Sequence, residues 1–427
     1  MKRALLVIFL LCLGASSVNA QQPAKAIRFG ELVDGKGKVW KEAIVVISGD
    51  RVRSVGTDPA QIPANAEVID LRRYTGIPGL IDVHTHMTYY WDQAPGTHPW
   101  GQERLPAVTV FLAQENARKT LEAGITTVRD LGAADYNDIA MRELINRGAM
   151  VGPRMFVAGY GLRISRRPVR PGYVTPHGGQ ADGVPEVMRV VREQIGAGAD
   201  VIKMFGSTGS GADVSGYQTF TFEEMKAAVD VAHNYGKRIA IHAYGPNAAR
   251  DAVRAGADSI EHATDMDDAT IAEMARRGTF YVPTIDHNRY YVEDREQLGY
   301  GPEAAARLND YIRRNLETAR RAHQAGVHFA MGSDAVFTMF GQNTRELAWF
   351  GKTGMTPEQA LATATTNAAA LLGMENSLGA IAPGYYADLV AVDGDPFAEI
   401  NVVIEGVRWV MKGGIVVLDK TKSGQTN

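Results

Sequence analysis

The sequence predicts an α/β protein: a (β/α)8 TIM barrel with a small β-sandwich domain built from both chain ends. Three observations predict it. Short apolar strand candidates alternate with helical stretches through the middle of the chain. Short β-rich runs with turn signals occupy both ends. Four histidines and an aspartate fall at the carboxyl ends of the central strand candidates, the face on which barrel sites are built.

The elements follow in chain order. Residues 1–20 read as a secretory signal peptide: Met1-Lys2-Arg3 is positive, Ala4 to Leu13 is apolar, and Val18-Asn19-Ala20 is a small-residue cleavage site. The apolar run falls short of the roughly 20 residues that span a bilayer. A mature, soluble chain in the periplasm or outside the cell is expected. Cys12, the only cysteine, lies in the leader, so the mature chain has neither disulfides nor thiolate ligands. Residues 21–75 hold short strands such as Ile44-Val45-Val46-Ile47, then Gly49-Asp50, then Arg51 to Gly56. Residues 379–427 resemble them, with Ala387 to Val392, Val407 to Met411 and Ile415 to Leu418. The two ends are expected to form one domain around a barrel over 76–378.

The barrel-strand candidates are 79–84, 126–130, 154–158, 200–205, 238–242, 258–262, 280–284 and 328–334. Helical stretches such as Phe222 to Tyr235 and Pro302 to Gln324 separate them. An open doubly wound sheet is the competing fold, weakened by the absence of a G-x-G-x-x-G turn after the first strand. A formal charge of -3, with 22% charged and 45% hydrophobic residues, fits a globular chain and gives no basic bias toward nucleic acid.

His84-Thr85-His86 puts two imidazoles on one strand face, since residues i and i+2 point the same way. His242 and His262 each close another strand, and Asp334 closes the last. Alone, each residue has an ordinary explanation: a surface pair, a hydrogen-bonded core histidine, a helix N-cap. Together they describe a metal centre. His98, His177, His233, His287 and His323 fall on helices or loops, and His328 opens the eighth strand at its far end. Lys203 shares a face with Val201 and Phe205 that should look into the barrel. A buried ammonium is costly unless paired or modified. Carbamylation by carbon dioxide would give an anion between two divalent cations; a salt bridge to a buried acid such as Asp130 would also explain it. Spacing alone leaves both open.

These motifs resemble the amidohydrolase superfamily over essentially the whole mature chain. They are Pro78 to His86, Ile202-Lys203-Met204, His242-Ala243, Ser259-Ile260-Glu261-His262 and Gly332-Ser333-Asp334. Gly354 to Leu361, Thr365 to Ala369 and Gly384 to Val390 look like the branch of imidazolonepropionase-related, Xaa-Pro dipeptidase-like metal carboxypeptidases, which includes ochratoxin-hydrolysing amidohydrolases. The resemblance implies two divalent ions, zinc above all. His84, His86 and Asp334 would hold one, His242 and His262 the other, with carbamylated Lys203 and a hydroxide between them. It also implies that His177 and Tyr244 contact substrate. Phe340-Gly341 stands where many relatives have His-Gly.

The expected reaction is hydrolysis of a dipeptide or N-acyl amino acid, with Asp334 as proton shuttle and Tyr244 or His177 as oxyanion donor. A cyclic amide or lactone hydrolase and a non-catalytic metal-binding protein are the alternatives. A small-molecule amide substrate and a homo-oligomer are expected as partners, and no nucleic acid. Tyr89-Tyr90-Trp91, His98-Pro99-Trp100 and Asp286 to Tyr291 are aromatic-rich loops that fit either packing or a pocket. Arg163, Arg166, Arg167 and Arg170 fit a carboxylate grip or a solvated turn.

Overall fold

The computed structural model describes residues 24–94, 97–99, 104–165 and 178–422. Residues 1–23 with Cys12 and the expected signal peptide, Trp100, Arg166, Arg167, Arg170, His177 and the last residues of the tail lie outside the described residues.

The start of the chain forms β1 (Lys25–Val33), β2 (Val39–Ser48), β3 (Arg51–Gly56) and β4 (Glu67–Pro78). The middle forms β5 (Leu80–Thr85), β6 (Ile125–Asp130), β7 (Arg154–Val157), β8 (Val201–Phe205), β9 (Arg238–Ala243), β10 (Ser259–His262), β11 (Phe280–Val282) and β12 (His328–Phe329). The end forms β13 (Leu389–Val392), β14 (Val407–Lys412) and β15 (Ile415–Asp419).

Both chain ends join one seven-stranded sheet, ordered β15-β14-β13-β4-β1-β2-β3. Its pairs are antiparallel except β1 with β4. The sheet bends back on itself. Val52 on β3 donates to the Tyr385 carbonyl at 2.9 Å, and the Ala387 amide donates to Asp50 O at 2.8 Å, just before β13. Ile27, Phe29, Val45, Leu389 and Trp409 fill the space enclosed. The described strands of the two chain ends thus form one bonded sheet folded around a common core.

The middle strands are parallel and fall into two sheets, β12-β11-β10-β9-β8 and β5-β6-β7. The sheets are bonded to each other along both edges. At one seam Leu162, just past β7, donates to Lys203 O at 2.8 Å and accepts from the Phe205 amide at 2.9 Å. At the other, the Asp334 amide donates to His84 O at 2.7 Å and the His86 amide to Ala335 O at 3.1 Å. The eighth strand is shorter than its apolar pattern predicts. Met331 instead donates to Thr363 O and accepts from the Val83 amide, contacts outside a regular ladder.

Helices cover these sheets through one apolar face each. The helix Phe222–Asn234 starts at a capping box of Thr221 and Glu224 and buries Met225, Ala228, Val229 and Ala232. The helix Pro302–Gln324 matches its predicted limits. Among the described residues, no helix is long and apolar enough to cross a membrane.

Candidate functional site

The apolar strands deliver polar residues to one buried pocket at their carboxyl ends. It is lined by His84, His86, Lys203, His242, Tyr244, His262, His287 and Asp334, with Tyr89, Phe205 and Tyr291 among the flanking rings. All five sequence-predicted histidine and aspartate ligands, Lys203 and Tyr244 thus meet in one place. Neighbouring imidazoles are close, with ring centroids 5.1 Å apart for His84 and His262 and 4.5 Å for His242 and His262. One ligand atom from each of His84, His262 and Asp334 lies within 4.8 Å of the others.

Local structure aims these groups. Thr85, between the two histidines, donates to Asp130 Oδ1 at 2.9 Å, and the Met87 amide donates to the same oxygen at 2.6 Å. That ties the turn after β5 to the end of β6. Gly332 lets the last strand touch β5: a Cβ there would sit 2.7 Å from His84 Cβ and 2.5 Å from Val282 Cγ1. His262 and Asp334 both have left-handed backbones, with φ of 73° and 51°. Such strain persists where the surroundings over-determine it, and it concentrates at functional sites.

The imidazoles turn Nδ1 away from the pocket. His84 Nδ1 lies 2.8 Å from Glu261 Oε2, His86 Nδ1 3.1 Å from Gly132 O, and His262 Nδ1 2.6 Å from Thr284 Oγ1. His84 Nε2 therefore faces the site, and Asp334 Oδ1 at 3.5 Å is too far for a hydrogen bond to it. Lys203 is 1% exposed, and its Nζ has no hydrogen-bond partner among the described residues. Asp130 Oδ1 accepts from Thr85 and Met87 while its Oδ2, like Lys203 Nζ, has no hydrogen-bond partner among the described residues, so the Lys203–Asp130 salt bridge is not formed.

Burial dominates the electrostatics. It pulls the Lys203 ammonium down to about 8, against the opposing charges of Glu261 and Asp334. Burial, reinforced by Lys203 for His84 and by His242 for His262, holds both imidazoles well below their ordinary range. Burial alone would raise Asp334, but His287, His84 and His86 together hold its carboxyl below the usual carboxylate range. His86 moves up: burial opposes protonation, and the Asp334 hydrogen bond and charge outweigh it.

His287 belongs to the pocket although its helical position had set it aside. It lies on the helix Ile285–Glu293, with Nδ1 2.8 Å from Asp334 O and Nε2 3.2 Å from Asp334 Oδ2. The aromatic-rich run around it was the available signal. Of those rings, Tyr291 lines the pocket and packs edge-on against His287, and Tyr89 stacks on His86. Of the other histidines set aside, His233 pairs with Asp258 and His328 is exposed, and neither lines the pocket. Arg163 is buried.

Comparison with known proteins agrees with this geometry. Residues 75–417 match the amidohydrolase family. An ochratoxinase from Aspergillus niger is 31% identical over 420 residues, covering 90% of this chain and 85% of the relative. An imidazolonepropionase from Geobacillus thermodenitrificans is 26% identical over 424 residues, covering 90% and 91%. The solved structure of a Xaa-Pro dipeptidase with bound methionine in the active site superposes with a TM-score of 0.82 at 33% identity, covering 92% of this chain and 99% of that one. The matched span contains every strand that brings a residue to the pocket. The chain belongs to the amidohydrolase family and is a hydrolase acting on amide bonds.

Proposed function

We propose that this chain is an exported, binuclear-metal amidohydrolase. It removes the C-terminal residue of a dipeptide or an N-acyl amino acid, aromatic amides of the ochratoxin type included. Its two bonded parallel sheets are read as a closed (β/α)8 barrel, with the pocket at its mouth. The observation that carries the reading is Lys203: a fully buried amine without a hydrogen-bond partner, among four strand-end imidazoles and a carboxylate.

That donor set fits divalent cations such as Zn2+. His84, His86 and Asp334 would hold one, and His242 and His262 the other. Lys203 fits between them as a carbamate. With its ammonium held near 8, part of the side chain is the neutral amine that adds carbon dioxide. The new N–C bond forms as one C–O π bond of carbon dioxide opens, and the neutral amine loses one proton, so it becomes an anion; starting from the ammonium, two protons leave. The bound cations would supply Lewis acidity and lower the pKa of a water toward neutrality.

The protein's own groups do the rest. Asp334 takes the proton of the attacking water and returns it to the leaving nitrogen. The Tyr244 hydroxyl donates to the carbonyl oxygen as charge develops there. His177, outside the described residues, is assigned the same work. Tyr89, Phe205 and Tyr291 give an aromatic wall to the substrate space. The methionine in the dipeptidase relative is a free amino acid, the product class of this cleavage.

Elemental analysis and turnover of N-acyl amino acids and dipeptides, with and without chelator, test the reading. About two cations per chain and chelator-sensitive turnover are expected. One ion or none in active protein rejects the binuclear site. Turnover of lactams or lactones without any linear amide favours the cyclic amide or lactone hydrolase.

A further inference from the structure

Beneath the pocket lies a buried polar chain that the reaction itself does not use. Arg129 and Glu261 are 1% and 0% exposed. Arg129 Nη2 donates to Glu261 Oε1 at 2.9 Å, and Arg129 Nη1 donates to Ser259 Oγ at 3.0 Å. Ser259 passes its own proton donor to Glu261 Oε1, and Arg129 Nε donates to the Val83 carbonyl one residue before His84. Glu261 thus spends one oxygen on two donors. Its other oxygen, Oε2, stands 2.8 Å from His84 Nδ1.

We propose that Glu261, fixed by Arg129 and Ser259, is a positioning residue that sets the tautomer of His84. A guanidinium has only donors, so the oxygen facing Arg129 must accept. Glu261 is ion-paired with the Arg129 guanidinium, and a carboxylate is acceptor-only at both oxygens, so Oε2 accepts from His84, which places the proton on Nδ1. Nε2 is left with its lone pair, and Nε2 is the atom that faces the pocket without a hydrogen-bond partner. The chain rests on the proposed cation site: it presents one ligand of that site in its competent form. Outer partners of this kind fix ring orientation and raise ligand basicity, and losing one costs metal affinity about 10–100-fold.

The arrangement predicts an asymmetric effect of Glu261→Gln, which keeps the side-chain shape. The amide oxygen must turn toward Arg129 and Ser259, because an NH2 group there would face two donors. The NH2 group then faces His84 Nδ1 and forces that nitrogen to accept, so the proton moves to Nε2. Zinc affinity of the folded variant, measured against a chromophoric chelator, should fall about 10–100-fold. Loss of stability alone would lower the melting temperature and leave that affinity unchanged. A folded Glu261→Gln protein that binds zinc like wild type overturns the proposal.

Metal-free wild type gives a second readout that does not depend on the Glu261→Gln variant folding. In 15N-histidine NMR, with His84 assigned from a His84→Gln spectrum, the Nδ1–H form is expected. An Nε2–H form of His84 overturns the proposal. Wild type that binds no zinc at all would sink the cation-site reading instead, and the spectrum would still decide the tautomer.

Discussion

The terminal sheet and the strand-end pocket are both buried, yet opposite rules build them. In the sheet, Arg28 Nε alone among the described buried side-chain atoms of its strands lacks a hydrogen-bond partner, and the buried carboxylate is satisfied by its own turn. Asp34 accepts from the amides of Lys36 and Lys38 at 2.7 and 3.1 Å and from Trp40 Nε1 at 3.0 Å. Trp409, 1% exposed, packs among Leu389, Ala391 and Met411. In the pocket, Lys203 Nζ and His84 Nε2 are left without hydrogen-bond partners, and His262 and Asp334 hold strained backbones. Unsatisfied buried groups and left-handed φ cost stability, so the rest of the fold must hold them in place. The difference teaches where to look: function lies where local consistency is broken.

Two substitutions in the pocket should break that comparison most. Lys203→Ala removes the orphaned amine. It should lower kcat by at least about 10³-fold, equivalent to several kcal/mol of lost charge stabilisation. Short carboxylic acids plus metal should restore part of the rate. Near wild-type activity with full metal content would sink the carbamate. Asp334→Asn keeps the side-chain shape but cannot take a proton. It should fold, bind metal, and lose about 10²-fold or more in kcat, with kcat/KM falling equally. A variant that loses its metal and its fold would make Asp334 structural. One that stays active would place the proton acceptor elsewhere.

The sequence exposed the pocket residues that depend on strand periodicity. His84, His86, Lys203, His242 and His262 close or lie on apolar runs whose period of two fixes which face they share. The structure brings all of them, with Asp334, to one cavity. His287 was not legible, because it reaches Asp334 from a helix, and only the packing of Ile285–Glu293 beside the last strand brings it there. Arg129 and Glu261 were hidden for a related reason. They lie on β6 and β10, which are not adjacent in their sheets, and pair only across the interior. The domain built from both chain ends was legible in its strands but not in their connection: they join one bonded sheet, with register shifts between Phe29 and Glu31, Val46 and Ile47, and Val410 and Met411.

The terminal sheet should respond in stability and leave chemistry alone. Trp409→Ala leaves a large void in its core and should destabilise the protein by about 3–5 kcal/mol. The measurement is denaturant unfolding, compared with kcat per folded molecule at a temperature where the variant is still folded. Unchanged kcat sharpens the contrast between the two regions. A kcat loss comparable to that of Asp334→Asn would show that the sheet also shapes the site.

The smallest effect separates the regions by pH. Lys412 ends β14, far along the chain from the catalytic residues. Burial holds its ammonium down to about 8 from an ordinary value of 10.5, Arg154 adding to the shift and Asp388 opposing it. Asp388 is already engaged: its Oδ2 accepts from Arg154 at 2.6 Å and its Oδ1 from the Gly413 amide at 2.7 Å. Below pH 8 both folded and unfolded chains keep the Lys412 proton, and the folded state bears the cost of a buried charge. Between pH 8 and 10.5 the unfolded chain holds the extra proton, so this group makes stability rise with pH across that window. Lys412→Met has no proton to lose. Other titrating groups cancel in the difference between the two proteins. The variant should be more stable than wild type near pH 7, by about 1–3 kcal/mol, and its advantage should shrink steadily toward pH 10. A difference that stays flat from pH 7 to 10 would show that Lys412 escapes to water, and that the end of β14 does not bury it.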